Sequence, residues 1–526
     1  MTTSRRTFLC GAASTAAVAS LTAAQALAAE IKKPKPGMPS KWDMTTDVII
    51  AGSGPSGMGA AVEAIDAGAK VVVFEKGDNY GGCGVISAGI LQLEGGTRFQ
   101  IEHGIKDSPE LYYQRLTSPK AKDQRGMDPK IAWNMAVHFP QFLDWSEAHG
   151  VKYRSFQANA VDSQHSGSWH HLSWPEPGEG QHMVPPNKDG YVTGAGLMLP
   201  IKKYFLDKGG KILMHHKLID VIQDESGRVV GAVVDAEGKL IYVRAKKGVI
   251  LAAGSFKANK PLRKLFDGRY SDNMISTGDP FVTPDGSGII AGMRVGGMLA
   301  KDKSKATSCI RRKFGTAHYN FPLGSKWGAP GLNCAGARWA QIIFTNQDGD
   351  RFIREVDKWD LGIGYNFYDA ALVQPNHKLW IVYDDETAQK FRWSTQAPMC
   401  EEGLAFDALT IEELAKVTGQ KNLVETVARY NSFVDAKKDD DFDKPADMLT
   451  KKIEHGPFHA VRCILAVHNL ACGLAVNENF QVLTYSMEPV PGLFAVGENA
   501  GGFYPGGVAG GMTTGRIAGQ MVAKHS

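Results

Sequence analysis

The amino-acid sequence predicts an α/β fold in which a parallel sheet is extended by an antiparallel meander. An apolar run at residues 47–51 is followed by a glycine-rich loop, a stretch with helical spacing and a second apolar run. Residues 211–245 alternate in polarity between short glycine-containing turns, which is the pattern of neighbouring antiparallel strands. Two later apolar runs, at 248–254 and 492–497, end in small residues and supply further strands.

The first glycine-rich loop has the spacing of a dinucleotide-binding turn. Gly52, Gly54 and Gly57 form a Gly-x-Gly-x-x-Gly pattern directly after the strand, and Ser56 lies where the helix begins. Glycines let backbone amides approach a pyrophosphate closely, and a helix N-terminus adds positive potential. The second strand is followed by Glu75, whose carboxylate suits ribose hydroxyls. A tight turn in front of a packing helix is the alternative interpretation.

A second glycine-rich segment favours FAD over NAD as the dinucleotide. It follows Glu75 and lies where an extended flavin would run. Because both dinucleotides satisfy the first loop, the choice between them depends on such additional segments. The predicted cofactor contacts around this segment are Lys76, Gly82, Cys83, Ser87, Ala88 and Gly89.

Two further strand ends complete the predicted FAD site. The third apolar run ends in Ala253 and Gly254, and the fourth continues into Gly497 and Glu498. A glycine-rich stretch that includes Gly507 then leads into a C-terminal helix. A helix that begins at this place can hold the pyrimidine end of the isoalloxazine ring, whose reduced form is negatively charged. Four separated motifs therefore predict one FAD site.

The first 28 residues resemble a twin-arginine export signal. Arg5 and Arg6 precede a mildly apolar stretch rich in Ala and Thr, and residues 26–28 have the small-x-small form of a cleavage site. Residues 29–43 form a linker that contains Lys and Pro. The resemblance implies export of a folded, cofactor-loaded protein to the periplasm. A basic amphipathic N-terminus retained in the cell is the alternative.

The composition is that of an ordinary globular protein and argues against several classes of function. Of the 526 residues, 43% are hydrophobic, and the formal net charge of +4 gives no reason to expect a nucleic-acid partner. No run of about 18 apolar residues follows the signal, so we expect no membrane span in the mature protein. The seven cysteines form no Cys-x-x-Cys pair, so we predict neither a metal site nor haem attachment.

Taken together, residues 44–526 resemble a family of FAD-dependent oxidoreductases. The family includes soluble fumarate reductases, urocanate reductases, 3-ketosteroid dehydrogenases and tricarballylate dehydrogenase. The resemblance implies a discontinuous, Rossmann-like FAD-binding domain at 44–265 and 455–526. It also implies an inserted α+β capping domain at 266–454 that closes over the flavin.

The resemblance to the fumarate reductases fails at the substrate-binding arginines. Ala388 occupies the place of their proton-donating arginine, after an Asp-Asp pair, and Trp359 stands where another arginine is expected. Glu355, three residues after a Gly-x-Arg-Phe segment, matches a glutamate of that branch, and we predict a catalytic role for it by resemblance. Residues 503–507 replace the segment that carries a further arginine, which clamps the dicarboxylate. Fumarate is therefore not the expected substrate.

Tyr504 and His468 are the remaining predicted catalytic residues. The Tyr-Pro-Gly-Gly stretch at 504–507 resembles the loop of ketosteroid and tricarballylate dehydrogenases, in which a tyrosine lies beside the flavin. With a backbone amide at Gly507, Tyr504 could polarise a carbonyl conjugated to the reacting bond. His468 matches the first residue of a family segment that binds a substrate carboxylate or carbonyl. A tyrosine that only packs on the flavin and a structural histidine are the alternatives.

The composition of the expected cap favours a planar or aromatic substrate. Residues 163–186 contain several His, Trp, Pro and Gly residues, and we expect an irregular segment there that serves as a lid. The rings in the cap are Phe314, Tyr319, Phe321, Trp327, Trp339, Tyr365, Phe367 and Tyr368. The possible anion-binding side chains are Arg311, Arg312, Arg338 and Arg354. A core role for any single ring is the alternative.

These observations predict an FAD-dependent oxidoreductase that acts on a carbon–carbon bond of a small molecule. The favoured reaction reduces an activated C=C bond, an enoate or enone, by hydride transfer from FAD N5 with a proton from Tyr504 or a cap arginine. Electrons would come from a separate cytochrome or quinol oxidoreductase. The alternatives are a dehydrogenase that desaturates a ketosteroid-like or carboxylic acid substrate with Tyr504 as base, and a non-catalytic flavin-binding protein.

Overall fold

The structure is a computed structural model. It describes residues 36–87, 91–117, 127–160, 169–175, 193–266, 268–276, 278, 282–300, 314–318, 336–356, 367–391, 403, 405–470, 472–503 and 507–524. The predicted export signal and the residues Ala88, Gly89, Trp359 and Tyr504 lie outside these ranges.

The described strands carry the labels used below. In chain order they are β1 Met44–Ala51, β2 Val71–Phe74, β3 Leu91–Leu93, β4 Tyr153–Ala160, β5 Trp169–Pro175, β6 Lys211–Leu213, β7 His216–Gln223, β8 Val229–Ala236, β9 Lys239–Leu251, β10 Ile275–Ser276, β11 Phe314–His318, β12 Ile343–Thr345, β13 Leu379–Asp384, β14 Ala405–Ala408, β15 Phe458–Asn469, β16 Gln481–Leu483 and β17 Pro489–Ala495.

The described α-helices are named by their residue ranges. They are Pro55–Asp66, Gly82–Val85, Arg98–Glu102, Pro109–Thr117, Pro129–His138, Phe142–Ala148, Thr193–Asp207, Lys260–Phe266, Ser287–Arg294, Phe367–Leu372, Asp385–Phe391, Ile411–Thr418, Leu423–Ala436 and Gly507–Lys524. Within the described ranges, no helix is long and apolar enough to cross a membrane.

The largest sheet has the strand order β16-β17-β9-β1-β2-β6, and β7 and β8 extend it from β9. β1 runs parallel to β2 and β9, and β17 runs parallel to β9. β7, β8 and β9 are antiparallel neighbours and form the predicted meander from residue 216 onward, whereas β6, at the predicted start of the meander, pairs in parallel with β2. The predicted combination of a parallel sheet with an antiparallel meander is confirmed.

The central strand β1 is covered on both faces. Val48, Ile49 and Ile50 are each 0% exposed, so consecutive side chains on opposite faces are buried. A continuous apolar run, rather than an alternating one, is what a parallel strand between two layers requires. This burial explains why the sequence signal at residues 47–51 is a run of apolar residues.

Two helices from opposite ends of the chain pack closely against each other beside β1. A Cβ atom on Gly515 would lie 1.8 Å from the carbonyl oxygen of Ser56, and one on Gly519 would lie 2.5 Å from that of Ala60. Helix Gly507–Lys524 therefore contacts helix Pro55–Asp66 almost backbone to backbone. The glycines at four-residue spacing make this approach possible, since they place no side chain between the helices.

A second sheet has the order β10-β15-β13-β12, with β11 and β14 also paired to β15. Its long strand β15 lies within residues 455–526, which the sequence assigned to the FAD-binding domain, yet it pairs with strands from 266–454. Trp339, one of the rings predicted in the cap, is 0% exposed and packs against Phe344 in the core of this region.

A third sheet has the order β3-β5-β4 and corrects one expectation. Residues 163–186 were predicted to be irregular throughout, but β5 lies within them and pairs with β4 in antiparallel register. The glycines and all the prolines except Pro175 lie outside residues 169–175, whose ring-containing and β-compatible residues form the strand. The glycines and prolines on either side of β5 therefore hid its strand pattern in the sequence.

Candidate functional site

The candidate site lies at one edge of the largest sheet. Because β1, β2, β9 and β17 run parallel along the path of this sheet, their carboxyl ends meet at the same edge. Ligands of open α/β sheets bind at such an edge. The segments that follow these four strands contain most of the predicted FAD contacts.

The glycine loop after β1 is built so tightly that two of its positions exclude a side chain. Gly52 has φ +109°, and a Cβ there would lie 2.4 Å from the carbonyl oxygen of Ala252. A Cβ on Gly57 would lie 2.0 Å from the carbonyl oxygen of Gly52. The loop therefore turns back on itself and on the end of β9, as the predicted turn requires.

Gly54 faces open space instead. It is the N-cap of helix Pro55–Asp66, and among the described residues no side chain caps that helix end and no heavy atom lies within 4 Å of a Cβ built on Gly54. An uncapped helix start with clear space above a glycine is suited to an anionic group, because the backbone N–H groups there point at the ligand.

Glu75 reaches across from the end of β2 to the glycine loop. One carboxylate oxygen accepts hydrogen bonds from the backbone N–H of Ser53 at 3.0 Å and from its hydroxyl at 2.7 Å. The other oxygen accepts the N–H of Gly77 at 2.9 Å. These bonds fix the carboxylate beside the loop, and the oxygen that binds Gly77 has a second lone pair for a ribose hydroxyl.

The second glycine-rich segment packs against the same loop. Gly82 has φ +50°, and a Cβ on it would lie 3.2 Å from the Cα of Gly54. Next to it, the sulfur of Cys83 lies 3.2 Å from the ammonium nitrogen of Lys257, which is only 2% exposed. Lys257 was not among the predicted residues, because a single lysine after a strand end gives no recognisable pattern.

Ser87 and Lys76 are held by neighbours around this segment. The hydroxyl of Ser87 donates to the carbonyl of Gly84 at 2.8 Å. Lys76 lies 3.1 Å from the carboxylate of Asp285, and Lys217 lies 2.9 Å from the same group. Burial alone would raise the pKa of Asp285, but the two ammonium groups hold that pKa well below its ordinary value.

The turn after β9 is hydrogen-bonded to the side chain of Asn499, which is not among the residues predicted from the sequence. The side-chain oxygen of Asn499 accepts the N–H of Ala253 at 2.6 Å, and its nitrogen donates to the carbonyl of Gly254 at 2.8 Å. Gly254 has φ +76°, a conformation that favours glycine. Asn499 follows the predicted Glu498 directly, but its sequence position does not show that it faces another strand end.

The turn after β17 contacts both the glycine loop and the C-terminal helix. A Cβ on Gly497 would lie 2.1 Å from the hydroxyl oxygen of Ser56. The N–H of Gly497 donates to the hydroxyl of Thr514 at 2.9 Å. Gly507 begins the C-terminal helix with φ +67° and is exposed. The structure thus brings the loop at 52–57 together with Glu75, Gly82, the turn after β9 and Gly497.

A side-chain hydrogen bond joins this edge to the end of the second sheet. A carboxylate oxygen of Glu498 accepts the N–H of Leu470 at 3.0 Å. Leu470 follows β15, the strand that contains His468. The side chain of His468 is outside the description, as is Tyr504, so the geometry of these two predicted catalytic groups stays a prediction.

Glu355 lies in a buried cluster of four charged side chains. Arg351 donates to both of its carboxylate oxygens, at 3.2 and 2.7 Å, and Lys444 lies 3.4 Å away. Arg351 also binds Asp439 at 2.9 Å. Burial alone would lower the pKa of Arg351, but the two carboxylates raise it above its ordinary value. Each oxygen of Glu355 thus has a cationic partner.

The replaced arginine position is enclosed. Ala388 is 3% exposed and packs in the core of the second sheet. The neighbouring Asp384 binds Lys451 at 2.9 Å and accepts the N–H of Thr387 at 3.1 Å. Burial alone would raise the pKa of Asp384, but these partners lower it below its ordinary value. Asp384, the first residue of the Asp-Asp pair, is therefore paired with Lys451 in this chain.

The family of the chain follows from a match that covers most of its length. A model of the FAD binding domain family matches residues 47–513. The chain belongs to this family. FAD is its cofactor, and the protein is an FAD-dependent oxidoreductase that acts on carbon–carbon bonds.

Characterised relatives cover nearly the whole chain. The acrylate reductase flavoprotein subunit of Shewanella woodyi is 28% identical over 95% of this chain and 93% of its own length. A probable fumarate reductase of Shewanella frigidimarina is 28% identical over 88% of this chain and 71% of its own. The urocanate reductase of Eggerthella lenta is 26% identical over 89% and 72%, respectively.

Solved structures share the fold. The open conformation of a flavocytochrome c3 fumarate reductase has a TM-score of 0.73 at 25% identity, and it covers 92% of this chain and 79% of its own. The 3-ketosteroid Δ1-dehydrogenase from Sterolibacterium denitrificans has a TM-score of 0.71 at 20% identity, covering 91% and 99%. The predicted FAD-binding fold is confirmed.

The sheet edge fits FAD on its own geometry. Among the described residues, Gly54 leaves clear space at an uncapped helix start, which suits a pyrophosphate, and Glu75 is held beside the same loop with a carboxylate that suits ribose hydroxyls. The left-handed glycines Gly52, Gly82 and Gly254 bring backbone close to the same edge without side chains. The described residues therefore form a preformed cradle for a dinucleotide.

Proposed function

We propose that the protein is an exported reductase that saturates an activated C=C bond conjugated to a carboxylate or carbonyl. The observation that carries the proposal is the hydrogen bond between Glu498 and Leu470. It joins the sheet edge proposed to bind FAD, called the FAD edge below, to the end of the strand that contains His468. A substrate group held by that strand would lie beside the flavin. The similarity to an acrylate reductase subunit over almost the full length of both chains supports the direction of the reaction.

The proposed FAD contacts are those of the sheet edge. When bound, FAD supplies the hydride that reduces one carbon of the substrate. The residues assigned to its binding are Gly52, Gly54, Ser56, Gly57, Glu75, Lys76, Gly82, Cys83, Ser87, Ala88, Gly89, Ala253, Gly254, Gly497, Glu498 and Gly507.

Tyr504 is the proposed proton donor, and His468 the proposed ligand of the conjugated carboxylate or carbonyl. A donor that holds or polarises that group stabilises the negative charge that develops on it as hydride adds to the far carbon. Glu355 binds Arg351 through both carboxylate oxygens, so a direct part in proton transfer requires one of these bonds to open. The proposal therefore assigns proton delivery to Tyr504.

We propose the domain division that the family resemblance implies, with one refinement. The FAD-binding domain comprises 44–265 and 455–526, and the cap comprises 266–454. β15 pairs with β13 and β14 of the second sheet, so we assign this strand to the cap. The chain then returns to the FAD edge at Leu470. The substrate would lie between the end of β15 and the flavin, under the rings of the cap.

Export and electron supply complete the proposal. Residues 1–28 would direct the folded flavoprotein to the periplasm through the twin-arginine route. There a separate cytochrome or quinol oxidoreductase would reduce the flavin. Two related proteins of Shewanella frigidimarina are described as cytochrome fumarate reductases, which supports a haem partner.

The test is anaerobic reoxidation of the flavin. The purified protein is reduced with dithionite, and the flavin absorbance is followed while acrylate, cinnamate, urocanate, fumarate and an enone steroid are added in turn. We expect rapid reoxidation by one of the first three and little by fumarate. Failure of every enoate and enone to reoxidise the flavin contradicts the proposal.

A dehydrogenase is the second candidate, and the enclosed Ala388 favours it. By resemblance this residue occupies the place of the proton-donating arginine of fumarate reductases, and it is buried in the core of the second sheet. A 3-oxosteroid 1-dehydrogenase of Mycolicibacterium smegmatis is 24% identical over 88% of this chain. In this case a saturated ketosteroid would bleach the oxidised flavin anaerobically, with Tyr504 as base.

A further inference from the structure

We infer that Asn499 is a positioning residue for FAD, although it lies outside the predicted cofactor contacts. Its side chain is 0% exposed. The two ends of its amide bind two consecutive residues of one turn, the N–H of Ala253 at 2.6 Å and the carbonyl of Gly254 at 2.8 Å. The amide thereby fixes the shape of the turn after β9, against which FAD is proposed to bind.

The position of Asn499 explains why a side chain is needed there. β17 and β9 pair in parallel as far as Ala495 and Leu251, and the N–H of Val496 still donates to the carbonyl of Leu251 at 3.0 Å. Beyond that point the two backbones no longer pair as strands. A side-chain amide offers one donor group and one acceptor, as a peptide group does. Asn499 therefore continues the hydrogen bonding where the strands end.

Asn499 is itself held in place from two sides. Its backbone carbonyl accepts the N–H of Leu474 at 2.7 Å. On the other side, a Cβ on Gly288 would lie 2.8 Å from the side-chain oxygen of Asn499, so helix Ser287–Arg294 contacts the amide directly. A side chain enclosed in this way has little freedom to leave the turn, which is the property of a preorganised site.

The loss of this amide should weaken FAD binding more than it weakens folding. Ala253 and Gly254 are partly exposed. In the apoprotein their freed N–H and carbonyl groups can relax toward water, whereas the FAD complex requires one shape of the turn. Losing these hydrogen bonds therefore destabilises the FAD complex more than it destabilises the apoprotein. This inference rests on the proposed placement of FAD against the turn.

The experiment titrates FAD into the full-length apoprotein and follows quenching of flavin fluorescence. Asn499→Asp keeps the volume and the acceptor for Ala253, but places a carboxylate oxygen against the carbonyl of Gly254. Asn499→Leu removes both hydrogen bonds. We expect the Kd for FAD to rise about tenfold or more in each variant, the size expected for a buried polar group left unpaired.

The matched control is Asn477→Asp. Asn477 lies before β16, where its side-chain oxygen accepts the N–H groups of Asn479 and Gln481, both at 3.0 Å. The control should bind FAD as the wild type does. The apoprotein comparison uses Asn499→Leu, because Asn499→Asp would bury a carboxylate at a position that is 0% exposed. The apoprotein Tm of Asn499→Leu should fall no further than that of the control.

Two outcomes overturn the inference. One is a wild-type affinity for FAD in either Asn499 variant. The other is a lower apoprotein Tm with unchanged FAD affinity, which would make Asn499 purely structural. Gly54→Ala separates this failure from that of the FAD placement. If Gly54→Ala weakens FAD binding while the Asn499 variants bind normally, only the role of Asn499 is wrong. If Gly54→Ala also binds normally, the placement itself is wrong.

Discussion

The carboxylate of Glu498 accepts the backbone N–H of Leu470 at 3.0 Å, and this bond connects two sheets that are otherwise separate in their strand pairing. One partner follows β17 at the FAD edge, and the other follows the long strand of the second sheet. A buried N–H without an acceptor destabilises a protein, so this bond restrains the end of β15 relative to the FAD edge. Together with the hydrogen bond from the N–H of Leu474 to the carbonyl of Asn499, this carboxylate would help to set the spacing between the proposed flavin and substrate positions.

Glu498→Ala should lower stability and slow flavin reoxidation. The substitution leaves the N–H of Leu470, which is 2% exposed, without this acceptor, and we expect a loss of stability of about 1–3 kcal/mol. Glu498→Gln is the matched control, because its side-chain oxygen can still accept the bond. Thermal unfolding and flavin reoxidation by the best substrate are the measurements. Equal reoxidation rates in both variants would contradict the restraint.

Gly54→Ala and Gly57→Ala should fail in different ways. A Cβ on Gly54 would have no heavy atom of the described residues within 4 Å, so the apoprotein should keep its Tm while FAD affinity falls about tenfold through contact with the pyrophosphate. A Cβ on Gly57 would lie 2.0 Å from the carbonyl oxygen of Gly52, so this variant should lose apoprotein stability as well. Apoprotein Tm and FAD titration together distinguish the two. Full FAD affinity in Gly54→Ala speaks against the assigned pyrophosphate position.

Removing the charge of Glu355 should destabilise the cap. The substitution Glu355→Gln leaves Arg351 and Lys444 buried with one carboxylate fewer, and breaking a buried ion pair typically costs about 3–5 kcal/mol. Burial already lowers the pKa of Lys444, so this lysine can lose its proton and reduce the cost. Urea unfolding of the holoenzyme measures the change. A variant with wild-type stability but no turnover would instead support direct catalysis by Glu355.

Asp285 should contribute to stability only while it is ionised. Its pKa in the folded protein lies below the ordinary value, so its contribution is fully present above about pH 4 and is lost as pH falls toward the folded pKa. Asp285→Asn should therefore reduce stability near neutral pH and bring the variant closer to the wild type in acid. Tm measured from pH 7 downwards tests this. A Tm difference that stays constant or grows in acid would contradict the assignment.

Substituting the two predicted catalytic side chains should leave the flavin bound. Tyr504→Phe removes only a hydroxyl, and general acid–base catalysis typically contributes about 10²–10⁴-fold, so kcat should fall within that range. His468→Gln should mainly raise KM, because it removes a substrate ligand. Steady-state kinetics with a reduced dye and the flavin spectrum are the readouts. Unchanged kcat/KM in both variants would remove these residues from the site.

The parts of the site that the sequence predicts are those formed within short segments. The loop from Gly52 to Gly57, the acid at Glu75 and the meander are local patterns in which spacing alone determines what the chain can do. Asn499 and Lys257 could not be predicted, because each acts on a partner far away in the chain. The pairing of β15 with the strands of the second sheet could not be predicted for the same reason, since strand partners depend on topology and not on local pattern.

The backbone contact between the second half of the glycine loop and the last helix has a consequence for how the protein is made. Ser56 emerges from the ribosome more than 450 residues before Gly515, yet the two are adjacent in the folded protein. Helix Pro55–Asp66 must therefore wait for the C-terminal helix before its final packing is available. Cofactor loading would then begin only after synthesis of the chain is nearly complete, and a nascent or truncated chain would remain without flavin. Such a delay would let the proposed export route, which accepts folded proteins, distinguish finished from unfinished molecules.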